Sequence, residues 1–208
     1  MNRIAALAVF IVGLFLMVAC SNPADDKSKA VTGEKAAVAS PAVAGEKYKI
    51  TPENSKIEFI GSKVTGSHNG SFQKFSGTID YAGAPEKSRV EITIETESVN
   101  VDDAGLTKHL KTPDFFDVAK FPKASFVSTE IKAGGEKGAS HTITGNFELH
   151  GVTKSITFPA TITVSPAGVN VDSTFSINRK DFGINYAGAA DNLIRDEVVL
   201  KLTVRATK

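Results

Sequence analysis

From Tyr48 onward, apolar side chains recur at every second residue and short turn-forming stretches interrupt them. That period belongs to strands with one buried and one solvated face, because successive side chains leave a pleated strand on opposite sides. Ile57, Phe59 and Gly61 alternate with Glu58, Ile60 and Ser62, and Phe75, Gly77 and Ile79 share the next apolar face. Val90, Ile92 and Ile94 then alternate with Glu91, Thr93 and Glu95, the cleanest amphipathic strand in the chain. The pattern resumes at Phe126 and continues through Ile143, Gly145, Phe147 and Leu149, returning as Ile156, Phe158, Ala160, Ile162 and Val164. It closes with Val169, Val171, Ser173, Phe175 and Ile177, then Val198, Leu200, Leu202 and Val204. Turns are expected at Asn69-Gly70, the strongest short hairpin signal, and at residues 84–87, 132–140, 150–151 and 165–168. About eight long strands in hairpin succession, each with one apolar face, predict an all-β closed antiparallel barrel, since closure removes exposed edges.

One segment breaks the period. Residues 109–126 read HLKTPDFFDVAKFPKASF. Asn100, Asp102 and Asp103 suit a helix start, Leu106 and Leu110 lie i,i+4 on one face, and Pro113 ends or restarts the helix. A short helical insertion near residues 102–118 follows, with Phe115 and Phe116 packing it against one end of the barrel. His109 and Asp114 read as capping and loop-pinning residues in preference to an acid–base pair. Arg179, leaving a strand in Asn178-Arg179-Lys180-Asp181, is expected to pair with a carboxylate such as Asp114 or Asp181 and pin the insertion to the rim.

Little else carries chemistry. With 24 basic and 23 acidic residues, the chain gives no electrostatic reason to expect a nucleic-acid partner. The four histidines, His68, His109, His141 and His150, lack metal-ligand spacing, and neither a phosphate loop nor a Gly-x-Ser-x-Gly elbow occurs. No catalytic residue, metal ligand or cofactor site is assigned, and a non-enzymatic role is expected. The interior positions mix large side chains (Phe59, Phe75, Phe147, Phe158, Phe175) with small ones (Gly61, Gly77, Gly145, Ala160, Ser173). Such a mixture either leaves a channel or interdigitates into a solid core. Sequence alone leaves both open, as it does the choice between monomer and dimer. If it is a channel, Gly77 and Gly145 are expected to leave room for a ligand.

The amino end has a different logic. A basic start at Arg3 precedes an apolar run from Ile4 to about Leu16, the signature of a secretory signal peptide over residues 1–19. Met17-Val18-Ala19-Cys20 resembles the bacterial lipobox, which implies that Cys20 is acylated and becomes the new amino terminus. Acyl chains contribute roughly 0.8 kcal/mol per buried methylene, so two or three make a lasting membrane anchor. Cys20 is the only cysteine, so no intramolecular disulfide forms. Ser21 stands where an Asp often retains lipoproteins at the inner membrane, which favours the outer membrane with the domain facing the periplasm. Residues 20–46 are then expected to be the lipidated Cys and a flexible tether, rich in Ala, Ser and Lys, ahead of a domain over 47–208. A chain starting at Lys47 would on that reading melt at an unchanged temperature.

The domain resembles the YceI-like family, associated with polyisoprenoid binding. The stretches that carry the likeness are His109-Leu110 with Asp114-Phe115-Phe116-Asp117, then Phe121-Pro122 with Phe126 and Ser128. Gly145 through Gly151-Val152-Thr153-Lys154 follows, and last is Phe175 through Asp181-Phe182-Gly183. The resemblance implies an extended eight-stranded lipocalin-like barrel holding a long isoprenoid or other amphiphilic chain, polyprenyl or quinone-like, inside it. It implies a ligand against Phe59, Phe75, Ile92, Phe126, Phe147, Phe158, Phe175 and Ile177, with His109, Asp114, Phe115, Phe116 and Arg179 at the rim. A structural or stress-response envelope module with a packed barrel is the alternative.

The lipobox reading has a direct test. Cys20→Ser is expected to abolish incorporation of labelled palmitate, and unchanged labelling of that variant would rule acylation at this residue out.

Overall fold

The computed structural model describes residues 22–38 and 45–208. The signal-peptide and Cys20 readings lie outside them. Alternating burial builds the strands: β1 (Ser28–Lys29), β2 (Val31–Gly33), β3 (Glu46–Ile50), β4 (Lys56–Lys63), β5 (Gly66–Phe72), β6 (Phe75–Tyr81), β7 (Arg89–Glu95) and β8 (Val99–Val101). After helix α1 (Ala104–Leu110) come β9 (Lys123–Ala133), β10 (His141–Leu149), β11 (Val152–Ser165), β12 (Gly168–Asn178), the short pair β13 (Gly188–Ala189) and β14 (Asn192–Leu193), and β15 (Glu197–Ala206). The main path of the sheet runs β3-β6-β7-β9-β10-β11-β12-β15-β4-β5-β8. Its two ends are halves of the same three hairpin strands, β3 with β4, β6 with β5, and β7 with β8. Eight long antiparallel strands therefore curl into a barrel, each beside its neighbour in sequence. β15 pairs with β4 through Lys56–Ile60, and past its end Lys49 and Thr207 exchange backbone hydrogen bonds of 2.6 and 3.2 Å that bring β3 to it as well.

Several expectations shift in detail. Asn69-Gly70 lies inside β5 and makes no turn; β4 and β5 reverse at Val64-Thr65, and Gly70 lies flat under the Phe59 ring, where a Cβ would collide with it. Packing of an aromatic ring thus overrides the local turn preference. The helix covers Ala104–Leu110 only, capped by the Asp103 side chain accepting from Leu106 N at 2.6 Å. Turns carry the chain from Lys111 to Lys120, because Pro113 has no N–H and disfavours helical backbone before it. His150 and Gly151 do form the expected tight turn, both with positive φ.

The largest difference is the segment read as a tether. Residues 22–38 lie on the barrel: β1 pairs in parallel with β12, and β2 pairs antiparallel with β11. Ala24, Ser28 and Ala30 are buried. Asn146 clamps the segment with both side-chain atoms, accepting from Ala36 N at 2.9 Å and donating to Ala36 O at 2.8 Å. Composition misses this because backbone hydrogen bonds hold the segment, and its buried side chains are too small to form an apolar period. A chain starting at Lys47 is accordingly expected to lose several degrees of Tm, since about 1 kcal/mol shifts a domain this size by ~2–4 °C. An unchanged Tm would contradict the packing of this segment.

Candidate functional site

The inward faces of the strands do not close on one another everywhere. Ile79, Val90, Ile92 and Ile94 from one side, Phe126, Ile143, Phe147 and Phe158 from the next, and Val171, Phe175, Leu200 and Leu202 from the third line an apolar cavity. It comprises about 1040 Å³ of space between atoms, its open end included. Only apolar surface faces it. Leu200 and Leu202 point into the barrel yet are only half-buried, because empty space stands where a core side chain would otherwise pack. Toward one rim, Tyr81, Pro85, Ser88 and Val164 line its walls.

The other rim is plugged. Phe116 from the insertion meets Phe59 and Phe72 at ring separations of 6.4 and 5.6 Å, and those two lie 5.8 Å apart. Phe72 faces the cavity, whereas Phe59 faces a second pocket outside the cluster. In that pocket His109, Phe115 and Tyr186 pack edge to face at 5.0, 5.2 and 5.4 Å. His109 Nε2 lies 2.7 Å from Asp114 Oδ2, which pins the turn after α1 back onto the helix. His68 Nδ1 contacts Asp102 Oδ1 at 2.7 Å, and Asp102 also accepts from Asn69 N. The Asn69 N–H, and then the His68 side chain, hold the Asp102 carboxyl below its usual pKa. These two pairs stand separately, and among the described residues no group of three or more His, Cys, Asp or Glu is placed to hold a metal ion.

Of the eight residues expected around a ligand, Ile92, Phe126, Phe147, Phe158 and Phe175 line the cavity. Phe59 faces the outer pocket, and Phe75 and Ile177 are buried in the core. His109, Asp114, Phe115 and Phe116 gather at the plugged rim. Arg179 does not join them. Its buried guanidinium donates to the carbonyls of Ile184, Ile194 and Arg195 and reaches Asp196, not Asp114 or Asp181. Burial pushes its pKa down, and Asp196 opposes the shift. The β12–β15 connection folds back over Arg179 and supplies carbonyls that no local sequence reading could name. Tyr186, from the same connection, was missed for the same reason. The aliphatic residues of β15 are legible in the sequence as an inward face but not as the wall of a cavity.

Gly145 also has a different task from leaving space for a ligand. β9 and β10 change register between Thr144 and Gly145, and the Phe126 ring lies over the glycine. A Cβ there would collide with that ring and approach Val127 O to 2.6 Å. Gly77 is similarly filled, by the Glu91 carbonyl and Ile92. Gly145→Ala should therefore cost about 1–3 kcal/mol by overpacking, read as a lower denaturant midpoint at constant m-value. Unchanged stability would mean that the space above the glycine is free after all.

Among known proteins, the family described as the YceI-like domain matches residues 48–206. A UPF0312 protein of Pseudomonas putida strain W619 is 37% identical over 162 residues, covering 71% of this chain and 81% of that protein. A UPF0312 protein of Pseudomonas syringae pv. tomato is 40% identical over 142 residues, covering 64% and 70%. Two solved structures share the fold. Burkholderia cenocepacia BcnA has a TM-score of 0.67 at 23% identity, covering 76% of this chain and 99% of its own. A polyisoprenoid binding domain from Saccharophagus degradans, implicated in plant cell wall breakdown, has a TM-score of 0.61 at 18% identity, covering 77% and 97%.

Proposed function

The chain belongs to the YceI-like domain family, and from that premise we propose that it binds a long isoprenoid or other amphiphilic lipid, polyprenyl or quinone-like, without catalysing a reaction on it. The observation that carries this reading is the continuous apolar cavity, in which no polar group faces the lumen. Such a lining offers nothing to a charged or strongly hydrogen-bonding solute, whereas a branched hydrocarbon chain would exchange its hydration for dispersion contacts at no polar cost. Gross burial contributes on the order of 3–4 kcal/mol per isoprene unit. Association and ordering costs reduce the net yield to roughly 0.3 kcal/mol per non-hydrogen atom. At five carbons per unit, a chain of about six units then reaches micromolar affinity without a salt bridge.

The rest of the reading is cellular. We propose further that the protein sits in the bacterial envelope, anchored through acylated Cys20 and facing the periplasm from the outer membrane, on the strength of the Met17–Cys20 motif and Ser21. The competing reading is an envelope module with a packed barrel and no ligand. Its support is the crowding of the lumen by aromatic rings, with Phe158 stacked on Phe175 at 4.2 Å and Phe126 at 5.7 Å from Phe158.

Organic extraction of natively purified protein, followed by mass spectrometry, separates the two. A stoichiometric isoprenoid or quinone supports the carrier reading; a clean extract with no uptake of a fluorescent polyprenyl probe would sink it. Leu202→Trp, which enlarges a half-buried side chain on the cavity wall, is expected to weaken probe binding at least tenfold while leaving the domain folded.

A further inference from the structure

The barrel wall has a break in its backbone pairing between β11 and β12. β11 and β12 pair from Thr161↔Asp172 to Ser165↔Gly168 and then part. Below that point β11 stays bonded to β10, and β12 to β15, while their facing edges share no further ladder and are joined only where Ser173 Oγ donates to Pro159 O at 2.6 Å. Residues 28–33 occupy the gap. Ser28 and Lys29 pair with Phe175 and Ser176 of β12, Ala30 N donates to Ser176 O at 2.8 Å, and Val31, Thr32 and Gly33 cross to Thr157, Ile156 and Ser155 of β11. The segment is thus an extra strand within the wall, and its burial alternates accordingly: Ser28 and Ala30 are buried, while Lys29 and Val31 are exposed.

Both lips of this gap are cavity wall. Ile156 and Phe158 on one lip and Phe175 on the other line the lumen, and the Phe158–Phe175 stack bridges the lips from inside. The extra strand has short ladders, supplemented by the Asn146 clamp at Ala36 and by the surface ion pairs Lys29–Glu197 and Lys154–Glu34. It pairs over two and three residues, against ten for β12 with β15. One of its two pairings is parallel, the weaker kind. Its buried side chains are no larger than Ala and Ser, so releasing it exposes little apolar surface. Segments with short ladders and small buried side chains open at the low end of a protein's range of local stabilities.

We propose that residues 24–36 form a displaceable strap over a lateral slot between β11 and β12, and that its release admits an apolar chain sideways into the cavity. The inference rests on the lipid-binding reading above. It adds a route: the rim beside α1 is plugged by Phe59, Phe72 and Phe116, so the slot serves the part of the lumen farthest from the open rim. With the strap displaced, the stacked rings and the Ser173–Pro159 hydrogen bond remain across the slot, and rotation of either ring opens the part below that bond.

The test locks the strap. Val31 and Thr157 are direct antiparallel partners and Val31 faces solvent, so V31C with T157C places two thiols within disulfide reach in the full-length chain. Peptide mapping confirms that the new pair, not Cys20, is joined. Uptake of a fluorescent polyprenyl alcohol is followed by stopped flow in the oxidised and reduced states. The oxidised chain is expected to take up and release the probe at least tenfold more slowly at unchanged equilibrium affinity, with reduction restoring the rate. If the reduced chain binds the probe and locking leaves the rate unchanged, the strap proposal is overturned while the binding reading stands. If neither state binds it, both fall. G33C with S155C, the neighbouring register pair, repeats the measurement should the first pair impair folding.

Discussion

A strand edge left without a partner carries a row of backbone donors and acceptors that must be hydrogen-bonded, and around this barrel that demand is met in two different ways. At the seam, β15 bonds both halves of the first long strand, to β4 along its length and to β3 through Lys49 and Thr207. At the gap between β11 and β12, the edges diverge and the chain's own amino-terminal segment supplies the missing partner. Both the interior space and the placement of the plug follow from that ring. A flat sheet with the same sequence would leave Leu200, Leu202 and Val204 on an open apolar face.

The interior is organised by rings seated on glycines. Gly70 admits Phe59 and Gly145 admits Phe126, each by letting an aromatic side chain lie against bare backbone. The glycines therefore direct which rings fold down and which stand into the lumen. Phe59 folds toward Phe72 and Phe116 and seals one end, while Phe126 stays beside Phe158 and narrows the cavity without filling it. The insertion contributes rings to the plug, and its His109–Asp114 pair holds it in place. Arg179 works at a different corner, binding the β12–β15 connection through its carbonyls.

The strands were legible because each buries one face, and a one-residue slip would turn that face to water. Val90, Ile92 and Ile94 show this most plainly, all buried between less buried neighbours. Asn69-Gly70 misled because its turn preference is local, whereas the ring that needs the glycine comes from the neighbouring strand. The tether misled because two- and three-residue ladders have no period to detect, and Ala30 or Ser28 looks the same in a coil as in a paired strand. At the site, the period puts Phe126, Phe147, Phe158 and Phe175 on inward faces, and they line the cavity, but the choice between channel and solid core depends on distances across the barrel. Nothing in strand periodicity encodes those distances.

On the proposed lipid-binding reading, the lumen, and not the outer pocket, receives the apolar chain. Isoleucine methyl groups report on this directly, since Ile92, Ile143 and Ile156 line the cavity while Ile50 and Ile177 are buried in the core away from it. With Ile δ1 methyls labelled and a short polyprenyl alcohol added, intermolecular nuclear Overhauser effects are expected at Ile92, Ile143 and Ile156 and not at Ile50 or Ile177. Effects confined to Ile194, which lines the outer pocket, or none at any isoleucine, would contradict the account.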